Sequence, residues 1–199
     1  MPKFGKYYII KCFIDVKVES TIYGKANGVL GVDTNLGFWS VADISSDGNL
    51  LSTTNINYDW HGSKGQTTAR IRDAAKELVD IALKTGKPIV IEDLKIQASS
   101  KNKAYNSSKL KNRTINTFSY DKMTEALISK AHKCGVEVYV VKPYYTSLIG
   151  KIKFMPHYKL PIHNLAAYAI GRRYLQLNER VPKKLKKTSW KDVYKMKAS

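Results

Sequence analysis

The sequence predicts an α/β fold: a sheet of mixed direction, opened by three antiparallel strands, continued by αβ units and closed by a C-terminal helix. Three observations predict it. Residues 29–57 are short runs of β-branched and aromatic residues separated by Gly- and Asn-containing turns. From Thr67 onward the apolar period changes to that of a helix. Two short, nearly unbroken apolar runs, residues 88–94 and 136–141, then follow helical segments, as strands of a parallel sheet do.

The elements follow in order. Residues 7–18 alternate with a period near two and read as a strand. Gly24-Lys25-Ala26-Asn27-Gly28 is a turn, and the break at Asn35-Leu36-Gly37 divides 29–44 into a hairpin of strands 29–33 and 38–44. Asp47-Gly48 is a second turn, leading into a third strand over 49–57. In residues 67–85, Ile71, Ala74, Ala75, Leu78 and Ala82 share one helical face, with Lys84 at the negative end of the helix dipole and Gly86 as the stop. The right-handed crossover rule places strand 88–94 parallel to 29–33. Residues 97–117 are rich in Ser, Asn and Lys and read as a basic loop. Ser119 is positioned to cap a second helix whose inner face carries Met123, Ala126, Leu127 and Ala131 and which Gly135 ends. Residues 136–141 read as a buried strand. In the last helix, 163–177, His163, Ala166, Ala167, Ile170 and Tyr174 lie on one face small enough to approach the sheet closely.

The chain has 199 residues with 43% hydrophobic content, enough for one domain with a real core. The domain is expected over 21–178, with 1–20 a remnant strand of an upstream domain and 179–199 a basic tail carrying Trp190 and Tyr194. Lys and Arg number 34 against 16 Asp and Glu, a net charge of +18, which points to a nucleic-acid partner because each neutralised phosphate releases counterions. A basic amphipathic membrane helix is disfavoured: residues 180–187 offer only Val181 and Leu185 as apolar anchors, and Pro182 interrupts them. Cys12 and Cys134 form no CxxC pair, so neither a zinc site nor a disulfide framework is expected, and a cytoplasmic, nucleoid-associated location fits.

Two carboxylates occupy costly places. Asp33 ends the apolar run Val29-Leu30-Gly31-Val32, and Glu92 lies inside Pro88-Ile89-Val90-Ile91-Glu92-Asp93-Leu94. If their strands are neighbours, both acids reach one point at the carboxyl end of the sheet, where a divalent cation would relieve their repulsion. Singly, Asp33 also reads as a turn former before Thr34-Asn35, Glu92 as a strand-end acid, and His163 as a capping or core histidine.

Four motifs occur in order: Gly31-Val32-Asp33, Ile91-Glu92-Asp93-Leu94, Pro143-Tyr144-Tyr145-Thr146-Ser147 and Asn164-Leu165-Ala166-Ala167. From about residue 7 to 177 the chain resembles the RuvC-like, RNase H-like portion of TnpB (transposon OrfB) proteins, relatives of type V CRISPR effectors. That resemblance implies metal-dependent, RNA-guided endonuclease cleavage of DNA at a site of Asp33, Glu92 and a third acid, whose position falls here on His163. It implies two Mg²⁺ or Mn²⁺ ions roughly 3.5–4 Å apart, bridged by Asp33 and completed by Glu92 and His163, with the imidazole shifting preference toward manganese. Lys101, Lys103, Lys109, Lys111, Arg113, Arg172 and Arg173 are the expected nucleic-acid contacts, the first five on a stretch that reads equally as a lid over the substrate or as a solvated disordered loop. The family's zinc ribbon is absent: residues 148–162 hold no Cys, and Lys151, Lys153, His157 and Lys159 stand there instead. Its N-terminal half has no counterpart beyond residues 7–18, so a guide RNA would be held by a separate chain, or the chain is a truncated or accessory copy. The alternative function is a nucleic-acid-binding or accessory protein of a transposon that does not itself cleave.

Overall fold

A computed structural model describes residues 18–93, 107–177, 179 and 181, with backbone alone over 107–119. The elements run β1 (Val29–Asn35), β2 (Phe38–Ile44), β3 (Leu50–Asn57), α1 (Lys64–Thr85), β4 (Ile89–Glu92), α2 (Ser107–Lys133), β5 (Val138–Val141), α3 (Thr146–Ile149), a π-helical stretch (Gly150–Phe154), α4 (Met155–Tyr158) and α5 (Ile162–Tyr174). The sheet order is β3-β2-β1-β4-β5. The β1–β2–β3 meander is antiparallel, and β1–β4 and β4–β5 are parallel, as the crossover rule requires.

Each face of the sheet carries a core. Leu30, Val32, Trp39, Val41, Ile89 and Ile91 point toward α1 and α2, where Ile71, Ala75, Leu78 and Leu127 meet them. Val29, Ala42, Ile44 and Val90 point the other way, toward Leu165, Ala167 and Ile170 of α5 and Leu148 and Phe154 of the preceding helical stretch. Helix α5 lies unusually close to β1. A Cβ added at Gly31 would stand 2.1 Å from the Ala167 carbonyl oxygen and 2.8 Å from the Gly171 nitrogen, and one at Gly171 would be 2.3 Å from Ile44 Cδ1. Glycine at these two positions is what lets the helix descend onto the strand.

Three expectations are corrected. Helix α2 begins at Ser107, so residues 107–117 are not loop and Ser119 lies inside the helix instead of capping it. Neither Gly nor Pro interrupts 107–134, and propagation costs far less than nucleation, so the strongly periodic half extends the helix backward through polar sequence. Helix α1 begins at Lys64, three residues before Thr67. Ser63 accepts from the Gln66 nitrogen and Gln66 returns a bond to Ser63, a capping box. Finally, β5 is an edge strand and only partly buried, with Val140 53% exposed.

The strand expected over 7–18 and the tail aromatics Trp190 and Tyr194 lie outside the described residues. Where the tail was expected to begin, Val181 is buried in the second core and Glu179 bonds Lys153 and Arg172. Among the described residues, no helix is long and apolar enough to cross a membrane.

Candidate active site

Strand alternation decides where the acids point. In β1, Leu30 and Val32 face α1 and α2, so Asp33 shares the opposite face with Val29. In β4, Ile89 and Ile91 face α1 and α2, so Glu92 follows Val90 onto the α5 side. Leu30 pairs with Ile89 across the parallel ladder. Asp33 and Glu92 each lie three residues further along, so the two carboxylates stand level on adjacent strands, on one face, at the carboxyl end of the sheet. Ser40 is the cross-strand partner of Asp33, is fully buried, and donates to Asn55 of β3 at 2.8 Å. A polar row therefore crosses four strands.

Helix α5 brings His163 to this row. Its Nδ1 lies 2.9 Å from Asp33 Oδ2, which also accepts from Asn35 Nδ2 at 3.0 Å. The histidine contact requires a proton on Nδ1. In the neutral ring that leaves the Nε2 lone pair directed away from the carboxylate, the arrangement of an imidazole oriented for a further ligand. The Phe38 ring meets His163 edge-on, with centroids 5.3 Å apart, and fixes the ring plane. Glu92, 9% exposed, accepts a 2.6 Å bond from the Thr146 hydroxyl. The carboxylates' fields reach two further groups. Tyr120 has its pKa raised by burial first and then by the Asp33 charge. Arg173 has its pKa lowered by burial, against which the Glu92 charge acts.

The structure thus joins Asp33 and His163 directly and seats Glu92 level with them, held by Thr146. Among the described residues, no three His, Cys, Asp or Glu side chains gather closely enough to hold a metal ion between them. The donor types nevertheless suit magnesium or manganese: two carboxylates supply hard oxygens and His163 a nitrogen. Arg173 donates to the Lys142 and Tyr144 carbonyls beside the Glu92 end of the row. Arg172, also an expected nucleic-acid contact, has partners within the fold. Its guanidinium is engaged by the Gly48 carbonyl and by Glu179, and lies over Phe154 and Tyr168. Lys101 and Lys103 lie outside the described residues. Lys109, Lys111 and Arg113 fall on helix α2, with only their backbone described. Sequence reasoning missed Asn35, Tyr120 and the bond from Thr146, although Thr146 sits in the quoted Tyr-Thr-Ser motif.

An antiparallel meander continued by two parallel strands, with acids at the carboxyl ends of the first and fourth and a helix crossing above them, defines an RNase H-like fold. A solved structure shares this fold. The chain is similar to T. thermophilus RuvC in complex with Holliday junction substrate, with a TM-score of 0.51 and 13% identity over 75% of this chain and 94% of that one. It is also similar to a second Thermus thermophilus RuvC structure, with a TM-score of 0.49 and 14% identity over 75% of this chain and 95% of the other. No family model and no curated protein matches the sequence.

Proposed function

We propose that the chain is a divalent-metal-dependent endonuclease domain acting on DNA through Asp33, Glu92 and His163. The observation that carries this reading is the level placement of Asp33 and Glu92 on one sheet face, with His163 docked on Asp33 at 2.9 Å. A buried acid and a partly buried one set side by side are a liability for folding alone and an asset to a cation site.

Asp33 and Glu92 would hold the ion or ions, and Thr146 fixes the rotamer of Glu92 through its 2.6 Å bond. His163, oriented by Asp33 and Phe38, presents Nε2 as a ligand or as a proton acceptor beside the row. A bound divalent ion supplies Lewis-acid polarisation of a phosphoryl oxygen and a water nucleophile at neutral pH. The basic excess of the chain supplies the grip on phosphates. The four ordered motifs support a finer reading as a TnpB-type, transposon-associated domain over residues 21–178, with 1–20 belonging to an upstream domain, 179–199 a basic tail, and any guide RNA held with a separate chain.

A second reading, a nucleic-acid-binding protein that does not cleave, is favoured by the absence of a three-ligand cluster among the described residues and by His163 at the third-acid position. Cleavage of labelled single-stranded DNA with magnesium, then manganese, separates the two. Cutting that disappears in Asp33→Ala supports the nuclease. No cutting in either metal with binding intact refutes it and leaves the binding reading. Cutting only in His163→Asp shows that the imidazole alone disabled the site.

A further inference from the structure

Outside the acid row, one exposed feature is held with more order than a surface loop needs. Trp60 is 39% exposed and the His61 side chain 72% exposed, yet their rings lie against each other with centroids 4.1 Å apart. Asp59 Oδ1 accepts from the His61 backbone nitrogen at 2.9 Å and contacts His61 Nδ1 at 3.0 Å. Arg70 donates to Asp59 Oδ2 at 2.8 Å and to the His61 carbonyl at 2.6 Å, while Thr67 donates to the Trp60 carbonyl at 3.3 Å. The rings are thus preorganised at the entry to α1.

Their position connects them to the acids. Trp60 packs on the β1–β2 turn: a Cβ at Gly37 would lie 3.1 Å from Trp60 Cδ1. The next residue, Phe38, is the one that meets His163. The Gly37–Phe38 turn therefore separates the Trp60 ring from the histidine by the thickness of a hairpin tip. On the other side, within a turn of α1 from Thr67, a groove of about 770 Å³ opens between α1 and α2. Thr68, Arg72, Lys122, Glu125, Lys130 and Lys133 help line it, four cations against one carboxylate, and Lys122 donates to Thr68 at 3.1 Å.

We infer that the Trp60–His61 shelf and the α1–α2 groove form one binding surface for single-stranded nucleic acid, with bases stacking on the shelf and phosphates running in the groove. The inference rests on the proposal that the chain acts on nucleic acid, and names the strand it takes. Unpaired bases present the faces an aromatic platform needs, whereas a duplex keeps them stacked inside. An acidic polypeptide would engage the cations and leave the rings unused.

The test is fluorescence anisotropy with no divalent metal added, on a labelled single strand, the same strand with abasic sites, and a duplex. Trp60→Ala weakens binding of the base-bearing strand about 5- to 150-fold and changes the other two little, while Trp60→Phe retains most of the affinity. The double substitution Lys130→Gln, Lys133→Gln lowers the salt slope by about 1.4. Wild-type affinity in Trp60→Ala, equal losses on all three probes, an unchanged salt slope, or equal competition by polyglutamate would each overturn the inference. Because cleavage plays no part in these readings, a chain that binds in this way but never cuts retains the shelf and loses the nuclease reading. A chain that cuts without Trp60 dependence does the reverse.

Discussion

Gly31→Ala tests the architecture where it is tightest. The added methyl would stand 2.1 Å from the Ala167 carbonyl oxygen and 2.8 Å from the Gly171 nitrogen, both backbone atoms that no rotamer change can move. Real Cβ contacts essentially never fall below 3.0 Å, so α5 must retreat from β1 by about 0.9 Å. A gap of that size forfeits roughly a quarter to a half of each dispersion contact across the interface. The helix face concerned includes Leu165, Ala167 and Ile170, all fully buried. The expected cost therefore lies at or above the upper end of ordinary overpacking, about 3 kcal/mol. Urea unfolding followed by far-UV circular dichroism measures it, with Gly65→Ala as the control. Nothing lies within 4 Å of a Cβ at Gly65, and that substitution, in the first turn of α1, is expected to change stability by no more than about 0.5 kcal/mol. The same retreat draws His163 away from Asp33, so any metal-dependent cleavage falls further than the remaining folded fraction explains. A Gly31→Ala protein within about 0.5 kcal/mol of wild type would refute the close-approach argument, since surface changes alone reach that size.

Three further outcomes are expected. Thr146→Val keeps the volume but removes the hydroxyl from buried Glu92, costing about 1.5–3 kcal/mol in the same unfolding assay. Lys87→Met strips the Asp43 carboxylate and the Ile44 carbonyl of a largely buried ammonium partner; a loss of about 3–5 kcal/mol is expected, and adding Asp43→Leu should recover most of it. Burial alone would raise the Glu179 pKa, but Lys153 and Arg172 outweigh burial and hold it below the usual carboxylate value. Its stabilisation is thus present above the unfolded-state pKa of about 4.3 and is lost as pH falls through the lower folded value. The Tm difference between wild type and Glu179→Gln should be constant near neutrality and close below about pH 4; a difference that grows with acidity would contradict the ion pairs.

The parts of the fold written in periodicity were legible. Hairpin turns at Asn35–Gly37 and Asp47–Gly48, the 3.6-residue face of α1 and the apolar run ending in Glu92 each state their own geometry, and the crossover rule then set β4 beside β1. The start of α2 was not legible, because polar residues extend a helix whose stability resides elsewhere. Nor was the helical run from Thr146 to Tyr158, whose apolar residues pack on α5 and not along a regular stripe of their own. At the site, Asp33 and Glu92 stood out as a pair of acids on successive apolar strands, whereas His163 alone read as a capping or core histidine and entered the site only through the resemblance. What distinguishes Asp33 bonded to His163 from Glu92 bonded to Thr146 is side-chain direction across 130 and 54 residues of sequence, which no local pattern encodes.

The crossing of α5 over β1 also has a consequence for how the chain acquires its structure during synthesis. The meander can pair as soon as it emerges, and α1 with β4 can dock on it soon after, but the face holding Val29, Ala42, Ile44 and Val90 stays open until α5 arrives. Until then a nascent chain exposes an apolar sheet surface and two adjacent acids with no imidazole beside them. Such late, long-range closure slows folding and prolongs exposure to aggregation. It also makes the Asp33–His163 pair a marker of completion: a ribosome-stalled chain ending before residue 162 should remain protease-sensitive on that face, however well its hairpins have formed.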